Sequence, residues 1–350
     1  MLASENTTLA WLRKRGPPIP ESLRHRLFRE RVIRVYHPAE ERVARVRPDA
    51  PLPPGARVLV PKAQVAARAP DAPLPPHLRG GLRRLLLLAH PAFIALNKPP
   101  GLAVQGDDDW SLAKLIRRPE AWEGAGGPVP FDPEELRLVH RLDQPTSGVL
   151  LVARGPDNAA WLGQGMAAAA RGIAGVASGD LVSIRKRYWA AAEWDPSGSP
   201  GQHSAISERV AQALLTRASP RFQRLAQDVV RGDERKKGVT LLRTLQPAAA
   251  PGAPALLEAE LVTGRRHQLR QLLAWGLCAP ILGDRVYGPR TPANRGPLFL
   301  HCHWTQVSLP GVGGAVVTIS APPPRYWTTL ARRQGWQAIL QGTEPHALES

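Results

Sequence analysis

The sequence predicts an α+β fold around a central mixed or antiparallel sheet, preceded by a small α/β domain. Three observations predict it. Short apolar runs at 93–96, 136–139, 149–153, 188–192, 256–262, 298–301 and 316–319 outnumber the helical patterns. The two clear helical patterns, 157–166 and 266–275, do not alternate regularly with those runs, which argues against a doubly wound parallel sheet. A proline-rich stretch at 61–82 separates this long region from a short basic N-terminal segment. The domains expected are 1–60, a linker 61–82, a main domain 83–325 and a C-terminal tail 326–350.

The elements follow in order. Pro20 suits a first helical turn, and Leu23, Leu27 and Phe28 form an apolar stripe that leaves Arg24, Arg26 and Arg29 on a cationic face. Short β-like runs follow at 32–35, 43–46 and 56–60, the last after the turn signal Pro53-Pro54-Gly55. This layout resembles an S4-type RNA-binding module, a small basic α/β unit. In the main domain, Asp157 suits the start of a helix. Leu269, Leu272 and Leu273 form a core-facing stripe in a second helix, stopped by Gly276. The stretches 119–135, 167–185 and 213–254 carry no clear pattern and read as surface insertions.

Charge narrows the partners. Of 350 residues, 46 are Lys or Arg and 29 are Asp or Glu, a formal net charge of +17, which puts a polyanion first. Seven of the cations are lysine and the rest arginine, a choice that coding bias can explain; their distribution is more informative. Residues 11–48 hold eleven basic residues against four acidic ones. Cys278 and Cys302 give no disulfide framework and no metal-ligand spacing. No apolar run approaches the ~20 residues that cross a bilayer, and the N-terminus lacks a secretory pattern, so a soluble chain is expected.

The densest polar constellation is Leu138-Val139-His140-Arg141-Leu142-Asp143-Gln144-Pro145-Thr146-Ser147-Gly148, between two apolar runs. A strand delivering His, Arg and Asp into a Pro/Ser/Gly turn places ionisable groups at a sheet edge, where a cleft can form. Taken alone, an Asp before such a turn more often serves a turn or cap than chemistry. The string nevertheless resembles the signature of the RluA family of RNA pseudouridine synthases, and further matches follow in register. They are Ile94-Ala95-Leu96-Asn97-Lys98-Pro99-Pro100-Gly101-Leu102 upstream, then Lys186-Arg187-Tyr188-Trp189-Ala190, then Val262-Thr263-Gly264-Arg265-Arg266-His267-Gln268-Leu269-Arg270, then Pro280-Ile281-Leu282-Gly283-Asp284-Arg285-Val286-Tyr287-Gly288, and finally Leu300-His301. The Arg-rich form with an N-terminal module is most similar to the plant organellar branch. Asn97 stands where the family usually has an acidic residue.

The resemblance implies a fold, a reaction and roles. The fold is a pseudouridine synthase domain behind an S4-like module, and the reaction isomerises uridines in structured rRNA or tRNA. Breaking the N-glycosidic bond and rejoining the base through C5 needs a carboxylate near C1′ and no cofactor. Asp143 would be that carboxylate, Arg265 its ion-pair partner, and Tyr188 the ring that stacks on uracil and takes the C5 proton. Arg141, on the same face as Asp143 if the strand continues, would hold the space left by the flipped base. By position and charge rather than by the resemblance, Arg266, Arg270 and the N-terminal Arg24, Arg26 and Arg29 are candidates to meet phosphates, with simple solvation as the alternative. The expected state is a monomer, in a mitochondrion or chloroplast by the same resemblance, with the cytoplasm left open.

Other functions need residues that are missing or leave residues unused. A catalytically silent RNA binder of the same fold would need the arginines but neither Asp143 nor Tyr188. A base deaminase would need H-x-E and P-C-x-x-C ligands, which the sequence lacks. A DNA-binding regulator would need a helix-turn-helix or zinc finger. His301-Cys302-His303 has no further ligand cluster, so no metal is expected. His140 and His267 read as hydrogen-bonded structural groups rather than bases.

Overall fold

The computed structural model describes residues 7–9, 12, 27–29, 32–37, 40, 42–59, 74, 78–106, 110–125, 127–170, 183–194, 206–232, 234–250, 252–289, 296–309, 315–341, 348 and 349. They fall in two units, 1–77 with 105–114, and 78–104 with 115–350. The first unit therefore takes in a short later segment as well as the N-terminal region.

The first unit holds a three-stranded antiparallel sheet of β1 (Arg34–His37), β2 (Arg42–Arg45) and β3 (Arg57–Leu59), in the order β2-β1-β3. The three runs expected there all form strands. Leu12, Leu27, Phe28 and Ile33 make its apolar cluster. Residues 27–29 are helical, with Leu27 and Phe28 buried and Arg29 exposed, as the stripe predicts. Arg24 and Arg26, and most of the proline-rich stretch, lie outside the described residues.

The second unit is built on an 11-stranded sheet. Its strands are β4 (Leu86–Ala89), β5 (Phe93–Lys98), β6 (Leu136–Leu138), β7 (Ser147–Arg154), β8 (Ser183–Glu193), β9 (Gln223–Arg231), β10 (Glu234–Gln246), β11 (Pro254–Leu261), β12 (Leu300–Ser308), β13 (Val316–Ser320) and β14 (Leu348–Glu349). The main path runs β4-β5-β7-β12-β8-β11-β10-β9, with β6 on β7, β13 on β12 and β14 on β13. Among these pairs β7 with β12 is parallel and the others are antiparallel, so the sheet is mixed, as the sequence predicts. β7 is buried along both faces, which its unbroken Val-Leu-Leu-Val-Ala run requires.

β8 divides site from core. Lys186 and Tyr188 line a cleft on one face. Trp189 and Ala191 point the other way, into a cluster with Leu256, Trp327, Ala331, Trp336 and Leu340. Two expectations from the sequence need correction here. Of the expected tail 326–350, the described residues 326–341 are packed: the helix Arg325–Gln334 ends on Gly335 in the left-handed region (φ 73°), and Trp327 and Trp336 join Trp189 in one apolar cluster. Nor is 213–254 a surface insertion, since it supplies the end of the helix Glu208–Thr216 and the hairpin β9–β10. β10 does alternate, but through Gly238, Thr240, Leu242 and Thr244, a face too weakly apolar to stand out beside the arginines. The third stretch, 119–135, is anchored by Trp122 packed edge-on against Phe131, while most of 167–185 ahead of β8 lies outside the described residues.

Gly148 explains the parallel crossing. It pairs with Cys302 at the start of β7 with φ 113°, and a Cβ there would sit 2.1 Å from the Cys302 carbonyl oxygen. Only glycine lets the two strands approach while the chain turns out of the Asp143 loop. Gly148→Ala is expected to destabilise the protein by at least ~3 kcal/mol, the upper range for overpacking at a site that cannot relax, as measured by denaturant unfolding.

Candidate active site

The loop between β6 and β7 carries Asp143. Because β6 ends at Leu138, strand alternation does not reach Arg141 and Asp143; Arg141 is exposed and the Asp143 side chain is 18% exposed, yet both line one cleft. The loop is fixed from both sides. Thr146 N donates to Asp143 O (3.0 Å), and Gly101 N donates to Gln144 O (2.8 Å), while Gln144 Nε2 donates back to Gly101 O (3.1 Å). Lys98, buried at the end of β5, donates to the carbonyls of Pro99 (2.9 Å), Leu102 (2.9 Å) and Gln144 (3.1 Å). Burial lowers its pKa to about 7, and the nearby Asp143 charge opposes that fall.

Three arginines in the 263–270 segment compete for Asp143. The structure selects Arg270, whose Nη1 stands 3.5 Å from Asp143 Oδ2. Arg265, expected as the partner, instead directs its Nε toward the Lys237 carbonyl at 3.5 Å. The reason is the local fold. Gln268 ties the segment to β10 by donating to Val239 O and Thr240 Oγ1 (both 3.0 Å) while accepting from Thr263 Oγ1 (2.7 Å) and Arg265 N (3.1 Å). His267 then takes a left-handed conformation (φ 57°), and the helix starts at Gln268, two residues later than expected. Arg270 is thereby carried inward and Arg265 stays on the near side of the turn.

Arg270 is 4% exposed, so its expected role at a phosphate is also corrected. Its Nε and Nη2 hold both Asp284 oxygens at 2.7 Å, and Asp284 Oδ1 accepts from Val286 N (2.9 Å) and Tyr287 N (3.0 Å). Burial works against both charges, but the pair offsets it, leaving the Arg270 pKa raised and that of Asp284 lowered. Arg266 is exposed on the cleft, as a phosphate contact would be.

Tyr188 is buried on the cleft wall, opposite Cys302 of β12 and Ala259 of β11. Burial, then the neighbouring Cys302 thiol and the Asp143 charge, pushes its phenol well above the usual value of 10. It is a neutral phenol, able to stack and relay a proton but not a standing base. His140 Nε2 accepts from Leu151 N (2.9 Å), and its Nδ1 lies 3.2 Å from Lys186 Nζ. Burial holds His140 neutral and lowers Lys186 to about 8. His267 is hydrogen-bonded, its Nδ1 lying 2.9 Å from the Tyr287 hydroxyl oxygen, and its Nε2 also lies 3.6 Å from Asp143 Oδ1. Lys98, Asp284 and Tyr287 stand within the sequence motifs, but no role is legible for them there; burial and partners, which only the fold supplies, mark them.

The cleft has a volume of about 420 Å3, within the ~300–1,000 Å3 usual for small-ligand sites. Arg141, Arg231, Arg265 and Arg266 line it around the Asp143 carboxylate. No group of three metal-ligating side chains occurs among the described residues. His301 is hydrogen-bonded to Ser147 Oγ and Ala321 O (both 2.9 Å), and His303 stacks on Trp189 with Nε2 2.9 Å from Glu258 Oε1. The two arginines should separate cleanly in unfolding experiments. Arg270→Ala leaves Asp284 as an uncompensated buried charge and is expected to cost about 3–5 kcal/mol, whereas Arg265→Ala stays within about 0.5 kcal/mol of wild type.

Comparison with known proteins bears directly on this cleft. The family model for RNA pseudouridylate synthase matches residues 92–275. The mitochondrial RNA pseudouridine synthase 4 of Arabidopsis thaliana is 29% identical over 317 residues, covering 84% of this chain and 62% of that protein. An uncharacterized RNA pseudouridine synthase of Zymomonas mobilis is 30% identical over 254 residues, covering 71% and 97%. Ribosomal large subunit pseudouridine synthase C of Escherichia coli O6:H1 is 29% identical over 329 residues, covering 89% and 88%. This chain thus spans less than two thirds of the Arabidopsis relative and nearly all of the Zymomonas one. The matched segment takes in more than half of the sequence and every strand from β5 to β11, together with Asp143, Tyr188 and Arg270, and the chain belongs to the RNA pseudouridylate synthase family.

Proposed function

We propose that this protein isomerises specific uridines in structured RNA to pseudouridine, with Asp143 as the group that acts at the ribose. The observation that carries the reading is a single carboxylate in an arginine-lined cleft, 3.5 Å from a guanidinium that is itself held by a second, fully buried carboxylate. The reaction conserves atoms. The C1′–N1 bond breaks, the uracil turns, a C1′–C5 bond forms, and the C5 proton leaves as N1 gains one. Asp143 serves either by attacking C1′ or by removing a ribose proton in a glycal route, and both need its oxygens uncommitted to a tight ion pair. The two shorter contacts of Arg270 go to Asp284, which leaves Asp143 the looser partner.

Tyr188 lies where a ring can stack on the turned uracil, and its neutral phenol suits it to pass the C5 proton onward while receiving another. Extruding a base costs a few kcal/mol, and stacking on one aromatic returns roughly 1–3 kcal/mol. Phosphate contacts must supply the rest of the affinity. Arg141, Arg231, Arg265 and Arg266 line the cleft and support this reading, and Arg24, Arg26 and Arg29 add further contacts if the first unit is the S4-like RNA-binding module that its sequence resembles. The Escherichia coli relative is named for the large ribosomal subunit, so rRNA is the first substrate class to examine and tRNA the second.

Tritium release from RNA labelled at uridine C5 reads the reaction directly. Asp143→Asn should bind RNA and release no tritium, and release equal to wild type would overturn its role. Tyr188→Phe should keep RNA affinity and slow release by ~10²–10⁴-fold, the usual span for loss of a proton-transfer group. Replacing Arg24, Arg26 and Arg29 together by alanine should flatten the dependence of log affinity on log salt by roughly 0.7–0.9 for each phosphate that is no longer neutralised. An unchanged slope would remove the first unit from the RNA interface.

A further inference from the structure

A chain of hydrogen bonds starts at one residue of β9, Val230, and ends at His267, whose ring approaches Asp143. Gln271 Oε1 accepts from Val230 N (2.9 Å) and Gln271 Nε2 donates to Val230 O (3.0 Å), so the peptide edge of β9 settles which end of the amide is which. The same Nε2 donates its other hydrogen to the Tyr287 hydroxyl oxygen at 3.1 Å. Accepting there, Tyr287 keeps its own hydrogen available for His267 Nδ1, which lies 2.9 Å from the hydroxyl oxygen. A neutral imidazole carries one proton, so Nδ1 as acceptor leaves it on Nε2, the nitrogen 3.6 Å from Asp143 Oδ1.

We propose that Gln271, Tyr287 and His267 form a relay that fixes the His267 tautomer and aims a neutral N–H at the Asp143 carboxylate, making His267 a positioning residue for the reaction. The proposal deepens the isomerase reading above and rests on Asp143 acting there. Three further features support it. His267 is one of two non-glycine residues with positive φ among those described, a conformation that β-carbon crowding disfavours and that tends to persist where a site uses it. The Tyr287 ring is held edge-on by His267 (5.6 Å) and Trp275 (5.1 Å), and the Arg270 guanidinium lies over its face at 5.3 Å. One tyrosine therefore buttresses both groups that approach Asp143.

The charged groups around His267 are Asp143, Arg270, Arg266 and Asp284. Burial lowers its pKa, the two arginines add to the fall, and the two carboxylates oppose it, so the ring is neutral at neutral pH. A neutral donor orients the carboxylate without adding a second full cation to the Arg270 charge. At 3.6 Å the N–H approaches Asp143 rather than bonding it, and a closure of about 0.6 Å would give a normal hydrogen bond. Apo catalytic contacts commonly tighten this way when substrate binds.

Nitrogen-15 histidine NMR on the full chain without RNA, with the His267 resonances assigned through the His267→Asn variant, tests the relay. Wild type should show a protonated Nε2 and a bare Nδ1, and Tyr287→Phe, which keeps the ring, should give a mixture of tautomers. In single-turnover tritium release from uridine-C5-labelled total RNA, Tyr287→Phe should be slowed between about tenfold and a hundredfold with RNA affinity unchanged, the scale of a sub-ångström misplacement. His267→Asn, which tolerates the left-handed backbone, should be slowed similarly, and the double variant no further. A wild-type proton on Nδ1, a Tyr287→Phe rate equal to wild type, or multiplicative losses in the double variant would each overturn the relay. No release by wild type would overturn the isomerase reading instead, and the tautomer measurement would still decide whether the relay exists.

Discussion

The Arg270–Asp284 pair is the constraint on which the rest of the site depends. Burying two charges costs several kcal/mol each unless their hydrogen-bonding capacity is filled, and here it is filled with little slack. Asp284 receives two guanidinium and two backbone N–H bonds, so neither partner can move without leaving the other stranded. Asp143 is a third party to this arrangement. It receives the remaining face of a cation already committed elsewhere, which accounts for a contact of 3.5 Å beside two of 2.7 Å. In the proposed reaction Asp143 acts at carbon or takes a proton, and the longer contact leaves its oxygens less committed to the cation than those of Asp284.

The sheet supplies the second condition, since the loop carrying Asp143 must be brought to the helix carrying Arg270. The parallel crossing of β7 and β12, possible because Gly148 has no side chain, directs the loop to the mouth of the cleft. The carbonyls of residues 99, 102 and 144 converge on Lys98, so the same loop is tied from the β5 side. β8 passes between cleft and core and faces both, with Tyr188 on the reacting side and Trp189 packed on the C-terminal helices. A disturbance of the Trp189–Trp327–Trp336 cluster would therefore reach Tyr188 through a single peptide unit.

What the sequence made legible was residue type and order. The strand runs and the mixed sheet could be read from local periodicity and element order, whereas the Asp143 loop and the motif holding the arginines were marked out by resemblance to a family. The choice of Arg270 over Arg265 could not. Three arginines within six positions look alike until the left-handed residue at His267 and the Gln268 clamp decide which one turns inward. The β9–β10 hairpin escaped because the inward positions of β10 are glycine, threonine and leucine, so its period lacks the large apolar residues that make a strand conspicuous. The C-terminal helices escaped for a different reason. Their anchoring tryptophans find a partner more than a hundred residues away, and nothing near them in sequence announces it.

The surplus of arginine illustrates how little a net charge locates. On the face of the sheet away from the cleft, Arg185 and Arg187 hold Glu260, Arg243 holds Glu258, and their guanidinium planes lie over Trp304 and Phe222. Those cations are matched by buried carboxylates and rings, so they add rigidity and little field. In the cleft, five arginines surround Asp143; Arg270 is matched by Asp284, and no comparable set of acids answers the other four among the described residues. Two neighbouring regions of similar arginine content thus have opposite uses, and the distinction lies in whether each guanidinium already has a partner. A cleft cation held in place but unmatched can exchange water for phosphate at low cost, and in the proposed function that exchange, more than the total charge, would draw a polyanion to this face.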